Sequence, residues 1–276
     1  MTRLIETLIS GLSLGSIYAL MALGYTMVYG IAKMLNFAHG DIIMVGAYAV
    51  VTSVLTLGMP PLVAILISIA ICALLGITVE FLAYRPLRQA PPLAVLITAI
   101  GVSYLLQNLA LLIYGSEQKA FPVLFTIPSV ELGGVYIDGI TIATMAVTAI
   151  IMVGLSLFIN RTRMGKAMRA VSEDMDAARL MALAGVAAIF YGAAYTYIRP
   201  TTGAMPGIKA FTAAVFGGIG SIPGAMLGGV LLGVIEQLSK TYISTLWADA
   251  IVFGVLVAVL VVKPTGLLGK RISEKV

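Results

Sequence analysis

The residues of this chain that could take part in chemistry are few, and one group lies in the stretch 35–41. This stretch holds the only histidine, His39, between the amide of Asn36 and the carboxylate of Asp41. Long apolar runs flank it, and polar groups at membrane depth usually face a bundle interior or an aqueous path. We therefore expect Asn36, His39 and Gly40 to line a solute path. The alternative is an interfacial turn, in which Asp41 caps the next helix and Gly40 supplies the bend.

A second unusual stretch, Phe216–Ala225, packs four glycines and a proline into ten residues. Such a run cannot comfortably continue a helix. Backbone without helical hydrogen bonds is tolerated in a bilayer only where it is buried in protein or lines a wet cavity. We expect a broken or re-entrant helix within 210–223, with Gly217, Gly218 and Gly220 on the path. The alternative is that the glycines only let helices pack closely.

A third stretch, 160–181, is rich in arginine and lysine and then turns acidic. Ser172 is a suitable N-cap, and Glu173 and Asp174 suit the first turn of a short surface helix. Such a helix on the cytoplasmic face could dock in a groove of a partner protein. The alternative is a basic anchor at the lipid headgroups.

Composition sets the elements that must position these stretches. Of the 276 residues, 60% are hydrophobic and 11% are charged, and the mean hydropathy is +1.06, whereas soluble domains are about a quarter charged. Since a membrane helix needs about 20 apolar residues, we expect an all-α, polytopic bundle of about eight transmembrane helices in one domain, 1–276. The candidate spans lie near 8–29, 42–57, 62–80, 93–114, 139–159, 180–198, 224–240 and 244–262.

No catalytic machinery is expected. Gly11–Gly15 matches G-x-S-x-G through Ser13, but it lies inside an apolar helix, and the nucleophile elbow requires a strand before it. The sequence has no phosphate-binding G-x-x-x-x-G-K-[ST] motif and no cluster with metal-ligand spacing. Cys72 is the only cysteine. We expect no enzyme activity, metal or cofactor.

The lysines and arginines predict the orientation in the membrane. The loops 81–92 and 160–179 hold most of the basic residues of the first five spans, which places both on the cytoplasmic side and the loop 115–138 outside. Strict alternation through eight spans would then put the basic C-terminal tail outside, against the same rule. One extra crossing between Arg199 and Gly224 would remove this conflict. The basic residues that give the net charge of +5 are therefore explained by the orientation of the chain in the lipid membrane. No nucleic-acid partner is expected.

Several ordered blocks resemble one family over nearly the whole chain: Gly15–Gly24, Leu35–Gly40, Phe81–Arg88, Met164–Ala170 and Lys209–Ala225. They are similar to the LivH-type permease subunit of branched-chain amino acid ABC transporters. The resemblance implies a multi-pass protein of the cell inner membrane, working with a second permease subunit, cytoplasmic ATP-binding subunits that use the ATP, and a periplasmic or extracellular substrate-binding protein. The residues it would place against the ATPase, within the coupling loop at about 160–181, are Ser172, Glu173, Asp174, Ala178 and Met181.

The sequence departs from that family after Met181. The chain runs directly into Ala182, and it lacks roughly one membrane span. Two other functions remain open at this point. One is a self-sufficient secondary transporter or channel that uses the breaks at 36–41 and 217–224 as its site; the other is an ABC permease for urea or short amides.

Overall fold

A computed structural model describes residues 2–32, 36–87, 90–162 and 182–269. In these ranges the chain is mostly helical and has no closed sheet, which confirms the all-α prediction. The α-helices are α1 (Thr2–Ala32), α2 (His39–Val51), α3 (Pro61–Val79), α4 (Pro92–Tyr114), α5 (Gly139–Arg161), α6 (Ala182–Tyr195), α7 (Ala204–Gly217), α8 (Ile222–Tyr242) and α9 (Thr245–Val262). A π-helical turn extends α2 over Thr52–Thr56, and another extends α3 over Glu80–Tyr84, followed by a 3₁₀ turn at Arg85–Leu87.

Seven of these helices are long and apolar enough to cross a membrane. They coincide with seven of the eight candidate spans. The breaks fall where proline predicts them, since Pro61 and Pro92 lie at the first positions of α3 and α4. The helices α6 and α7 have 14 residues each. At 1.5 Å per residue each is about 21 Å long, shorter than the roughly 30 Å hydrocarbon core.

One end of the bundle carries four short strands. They are β1 (Lys119–Ala120), β2 (Val130–Leu132), β3 (Val135–Ile137) and β4 (Tyr197–Ile198). The strand β1 pairs antiparallel with β4, and β2 pairs with β3 in a hairpin. Because the loop 115–138 is predicted to be external, the β1–β4 pair places the segment after α6 at the external end as well.

The centre of the bundle is the antiparallel pair of α1 and α8. A Cβ added to Gly11 would lie 2.9 Å from the Cα atom of Val234, and one added to Gly15 would lie 2.7 Å from that of Val230. Such close backbone approach requires glycine. Most of α1 beyond Ser16 is buried, whereas α3, α4 and α9 leave many large apolar side chains exposed, as expected for helices that face lipid or another subunit.

The opposite end of the bundle holds the C-terminal segment. The amide N–H of Leu268 donates to the carbonyl of Gly217 over 2.8 Å, and the hydroxyl of Tyr84, near the basic loop 81–92, donates to Asn36 at the same end. The chain reaches this end because the segment after β4, followed by α7, runs back from the external side and stops at the glycine run. This segment and α7 together make the extra crossing, and residues 263–269 lie on the side of Arg85. Strict alternation through eight spans, which would put the tail outside, is wrong for this reason.

Candidate functional site

The turn between α1 and α2 is built by Asn36. Its side-chain Oδ1 accepts hydrogen bonds from the backbone N–H of Ala38 (3.1 Å) and from the hydroxyl of Tyr84 (2.8 Å), and its carbonyl accepts from the N–H of His39 (3.1 Å). The expectation that Asp41 caps α2 is wrong, because no side chain caps this helix. The amide of Asn36 turns the chain instead, as asparagine commonly does two residues upstream of a bonded N–H.

The ring of His39 is buried beside α1. It lies edge-on to the ring of Tyr25, with centroids 4.9 Å apart and planes at 71°, and it also interacts with the backbone of Met21. The neighbouring Gly24 gives it room, since a Cβ there would overlap the imidazole. His39 thus joins α1 to the start of α2, and its place on a solute path stays a prediction.

The backbone of Gly40 crosses the start of α7. A Cβ on Gly40 would lie 2.8 Å from the Cα of Gly207 and closer still to the carbonyl oxygen of Gly203. A Cβ on Gly203 would meet the backbone of Gly40 and Asp41 in return. The first turns of α2 and α7 therefore meet at membrane depth, with glycine on both sides of the contact.

The carboxylate of Asp41 points away from this crossing toward α4. It accepts hydrogen bonds from the hydroxyl of Ser103 and from the amide of Gln107 (3.1 Å), and Gln107 also donates to Ser103 (3.2 Å). Ser103 lies near the middle of α4, so the carboxylate lies near the middle of the membrane. Asp41 itself is 1% exposed, and both partners are half-buried. We call Asp41, Ser103 and Gln107 the Asp41 cluster.

The glycine run ends α7 and begins α8. Gly218 and Gly220 have φ values of +111° and +85°, which side chains other than glycine rarely adopt. Gly217 packs against the carbonyl of Gly224, and a Cβ on Gly218 would overlap the backbone of Gly269. The helix ends at the predicted place. Gly217 and Gly218 are in contact with the backbone of other segments of this chain. Whether Gly217, Gly218 and Gly220 line a path stays a prediction.

A second polar cluster, which sequence analysis missed, lies between α1, α7, α8 and α9. The carboxylate of Glu236 is fully buried and accepts from the ammonium groups of Lys209 (2.8 Å) and Lys240 (2.6 Å). It also accepts from the hydroxyl of Tyr18 (2.9 Å). Lys209 reaches Asp249 as well, over 2.7 Å. We call these five residues the Glu236 cluster.

A signal for this second cluster was present in the sequence. Lys209 and Glu236 are charged residues within otherwise apolar helices, and such residues pair with one another or mark a functional site. The two residues are 27 positions apart in the sequence, so local patterns did not indicate that they pair. The predicted coupling residues Ser172, Glu173, Asp174, Ala178 and Met181 lie outside the described residues.

The enzymatic motif has no supporting geometry. Ser13 lies within the continuous helix α1, so no strand precedes it as a nucleophile elbow requires. Within the described ranges no group of three histidine, cysteine, aspartate or glutamate residues could hold a metal ion.

A bundle of membrane-length helices with ionisable groups buried at mid-depth is typical of membrane transport proteins. Residues 7–260 match the family described as branched-chain amino acid transport system / permease component. The permease protein BraD of Pseudomonas aeruginosa is 43% identical, over 99% of this chain and 98% of its own, and LivH of Escherichia coli K12 is 42% identical, over 99% and 97%. Both are named high-affinity branched-chain amino acid transport system permease proteins. A probable LivH of Methanocaldococcus jannaschii is 27% identical, over 92% and 89%. No solved structure matches.

The chain therefore belongs to the family of branched-chain amino acid transport permeases, and it is a multi-pass protein of the inner membrane. Permeases of this family are subunits of ABC importers, which work with a partner ATPase and a substrate-binding protein. The other two functions, a self-sufficient transporter or a urea permease, are not favoured. The alignments to BraD and LivH are 300 positions long, whereas the chain has 276 residues. At least 24 aligned positions thus face no residue of this chain.

Proposed function

We propose that this chain and a second permease subunit together form the path through which an ABC importer carries branched-chain amino acids. The near full-length identity of 42–43% to permeases named for these substrates is the observation that carries the proposal. ATP is bound and hydrolysed by cytoplasmic partner subunits, and a binding protein outside the membrane delivers the substrate. The chain itself needs no cofactor and performs no catalysis.

The surface of the bundle supports a second permease subunit. Large apolar side chains stay exposed along several membrane helices, including Leu66 on α3, Leu112 on α4 and Val261 on α9. Lipid can cover most of this surface. The half-buried polar side chains Ser103 and Gln107 on α4 are less suited to lipid, and they mark the face on which we place the second subunit and the path.

Along that path we place Asn36, His39 and Gly40 on one side of the bundle. The backbone at Gly217, Gly218 and Gly220 lies at its cytoplasmic end. For the contact with the ATPase we propose the loop at about 160–181, through Ser172, Glu173, Asp174, Ala178 and Met181.

Reconstitution tests the transport function directly. The chain is purified with its permease and ATPase partners, placed in liposomes, and given radiolabelled leucine, isoleucine or valine on its binding protein. We expect uptake that requires ATP, the binding protein and this chain together. Uptake by the chain alone, driven by an ion gradient, would instead show a secondary transporter, and uptake of urea in place of leucine would show the other permease class.

The coupling proposal has its own test. Replacing Glu173 and Asp174 with lysine should leave membrane insertion unchanged but separate ATP hydrolysis from uptake, because the charge offered to the ATPase is reversed. Glu117→Lys in the external loop is the matched control. Normal leucine uptake by the Glu173→Lys, Asp174→Lys variant would remove these residues from the coupling surface.

A further inference from the structure

We propose that the Asp41 carboxylate binds the ammonium group of the amino acid as it passes through the membrane. This inference rests on the proposed function, and it assigns a binding role to a residue that the sequence suggested only as a helix cap. Four observations carry it: the depth of Asp41, the neutrality of its partners, its position beside a helix start, and the thin cover above it.

The depth of Asp41 makes its charge expensive. The carbonyl of the next residue, Ile42, accepts a hydrogen bond from Cys72 near the middle of α3, and Ser103 lies near the middle of α4. Two neighbouring helices thus place the carboxylate at the centre of the bilayer. An ionisable group at that depth is commonly paired or lies on a substrate path.

The partners of Asp41 do not balance its charge. Ser103 and Gln107 are neutral donors, and no lysine or arginine of the described ranges lies within salt-bridge distance of the carboxylate. The Glu236 cluster differs, because its two carboxylates face two ammonium groups. The Asp41 cluster is therefore one cation short of neutrality.

The start of α2 favours the charged form of Asp41. The residue lies in the first turn of that helix, where the partial positive charge of the helix end stabilises an anion. This partial charge offsets part of the cost of burying the carboxylate, but it is too weak to replace a full cation. A zwitterionic amino acid supplies such a cation in its ammonium group.

Within this chain the cover over the Asp41 cluster is thin, on the face of α4 where we place the second subunit. The helix α4 contacts chiefly α2 and the π-helical end of α3, while its outer residues Ile97, Leu105 and Leu112 are exposed. Ser103 and Gln107 are half-buried on the edge between these two faces. A small outward movement of α4 would therefore open the carboxylate to a solute.

The test compares leucine uptake by the complete complex, with binding protein and ATP, in wild type and in Asp41→Asn. The asparagine keeps the shape and one acceptor oxygen but loses the charge and the second acceptor, which faces Ser103 or Gln107, so uptake is compared at equal assembly and against Asp41→Glu. We expect the initial rate to fall at least tenfold at equal assembly. Asp41→Glu, which keeps the carboxylate, should recover a third or more of the wild-type rate.

A chemical probe identifies the group that is bound. The 3-methylbutylammonium ion carries a branched side chain and an ammonium group but no carboxylate. We expect it to inhibit uptake by the wild-type complex without displacing leucine from the binding protein, and to leave the residual uptake of Asp41→Asn unaffected.

The outcomes separate this inference from the proposed function. If the wild-type complex takes up no leucine, the proposed function fails. If the wild type transports and Asp41→Asn transports equally well, only the Asp41 inference fails. If Asp41→Asn does not assemble, the probe decides alone, and absence of inhibition in the wild type overturns the inference.

Discussion

The bundle buries two polar clusters at membrane depth, and they differ in charge balance. Around Glu236, two lysines and a tyrosine hydroxyl saturate one carboxylate, and Asp249 shares one of the lysines. Around Asp41, only neutral groups donate. A balanced network of this kind joins helices without needing a further charge, whereas the Asp41 carboxylate lacks a balancing cation. The comparison assigns helix joining to the Glu236 cluster and solute contact to the Asp41 cluster.

Their surroundings support this division. The Glu236 cluster connects four helices, including the closely packed pair of α1 and α8, through Tyr18, Lys209 and Asp249. The Asp41 cluster connects α2 to α4, which is exposed along most of its length. The close packing around the Glu236 cluster suits a structural role. The exposed helix α4 beside the Asp41 cluster suits a path that must open and close.

The largest effect should follow removal of the charge on Glu236. Glu236→Gln leaves Lys240 facing a neutral amide and Lys209 paired only with Asp249, and breaking a buried ion pair in this way costs about 3 to 5 kcal/mol. We expect a marked fall in the thermal unfolding temperature of the complex and in its assembled yield. Glu117→Gln, in the exposed external loop, is the control and should change neither. If Glu236→Gln were as stable as the wild type, the Glu236 cluster would not have the helix-joining role that we assign to it.

The crossing of α2 and α7 should give the next largest effect. Gly40→Ala forces a methyl group against the backbone of Gly203 and Gly207, and overpacking of this kind costs about 1 to 3 kcal/mol. Gly101→Ala in α4 is the matched control, because a Cβ there meets nothing within 4 Å. Thermal unfolding of the two variants in one detergent checks this, and equal stability would show that the helix starts do not touch.

A smaller effect is expected from the hydroxyl of Tyr18. Tyr18→Phe removes one hydrogen bond to Glu236, worth about 1.5 kcal/mol because the acceptor is charged, but leaves both lysines in place. We expect a modest loss of stability with unchanged leucine uptake per assembled complex. Tyr104→Phe, on the exposed face of α4, should be neutral. A loss of uptake in Tyr18→Phe beyond its loss of assembly would give the Glu236 cluster a role in transport.

Much of the fold could be predicted from local sequence. Apolar runs, prolines and the glycine run set the ends of the long helices within a few residues, because helix length in a bilayer is set by hydrocarbon thickness. The lengths of α6 and α7 could not be predicted, since neither is long enough to cross alone. Their positions depend on packing, of α6 against α2 and α3 and of α7 against α1 and α8.

The candidate site was predictable only in part. Asn36, His39 and Gly40 stood out because polar residues interrupt apolar runs there. The contacts within the two polar clusters could not be predicted, because the partners are far apart in the sequence. Asp41 and Ser103 are 62 positions apart, and Tyr18 and Glu236 are 218 apart. Such pairings depend on which helix faces turn inward, and weak amphipathic patterns in membrane helices do not encode that.

The most direct test of the division between the clusters is the rate of leucine uptake per assembled complex, measured side by side for Asp41→Asn and Glu236→Gln. Our account predicts that Asp41→Asn assembles normally and transports at a tenth of the wild-type rate or less. It predicts that Glu236→Gln assembles poorly, while the complexes that form transport at close to the wild-type rate. Normal transport by Asp41→Asn, or inactive complexes of Glu236→Gln, would contradict it.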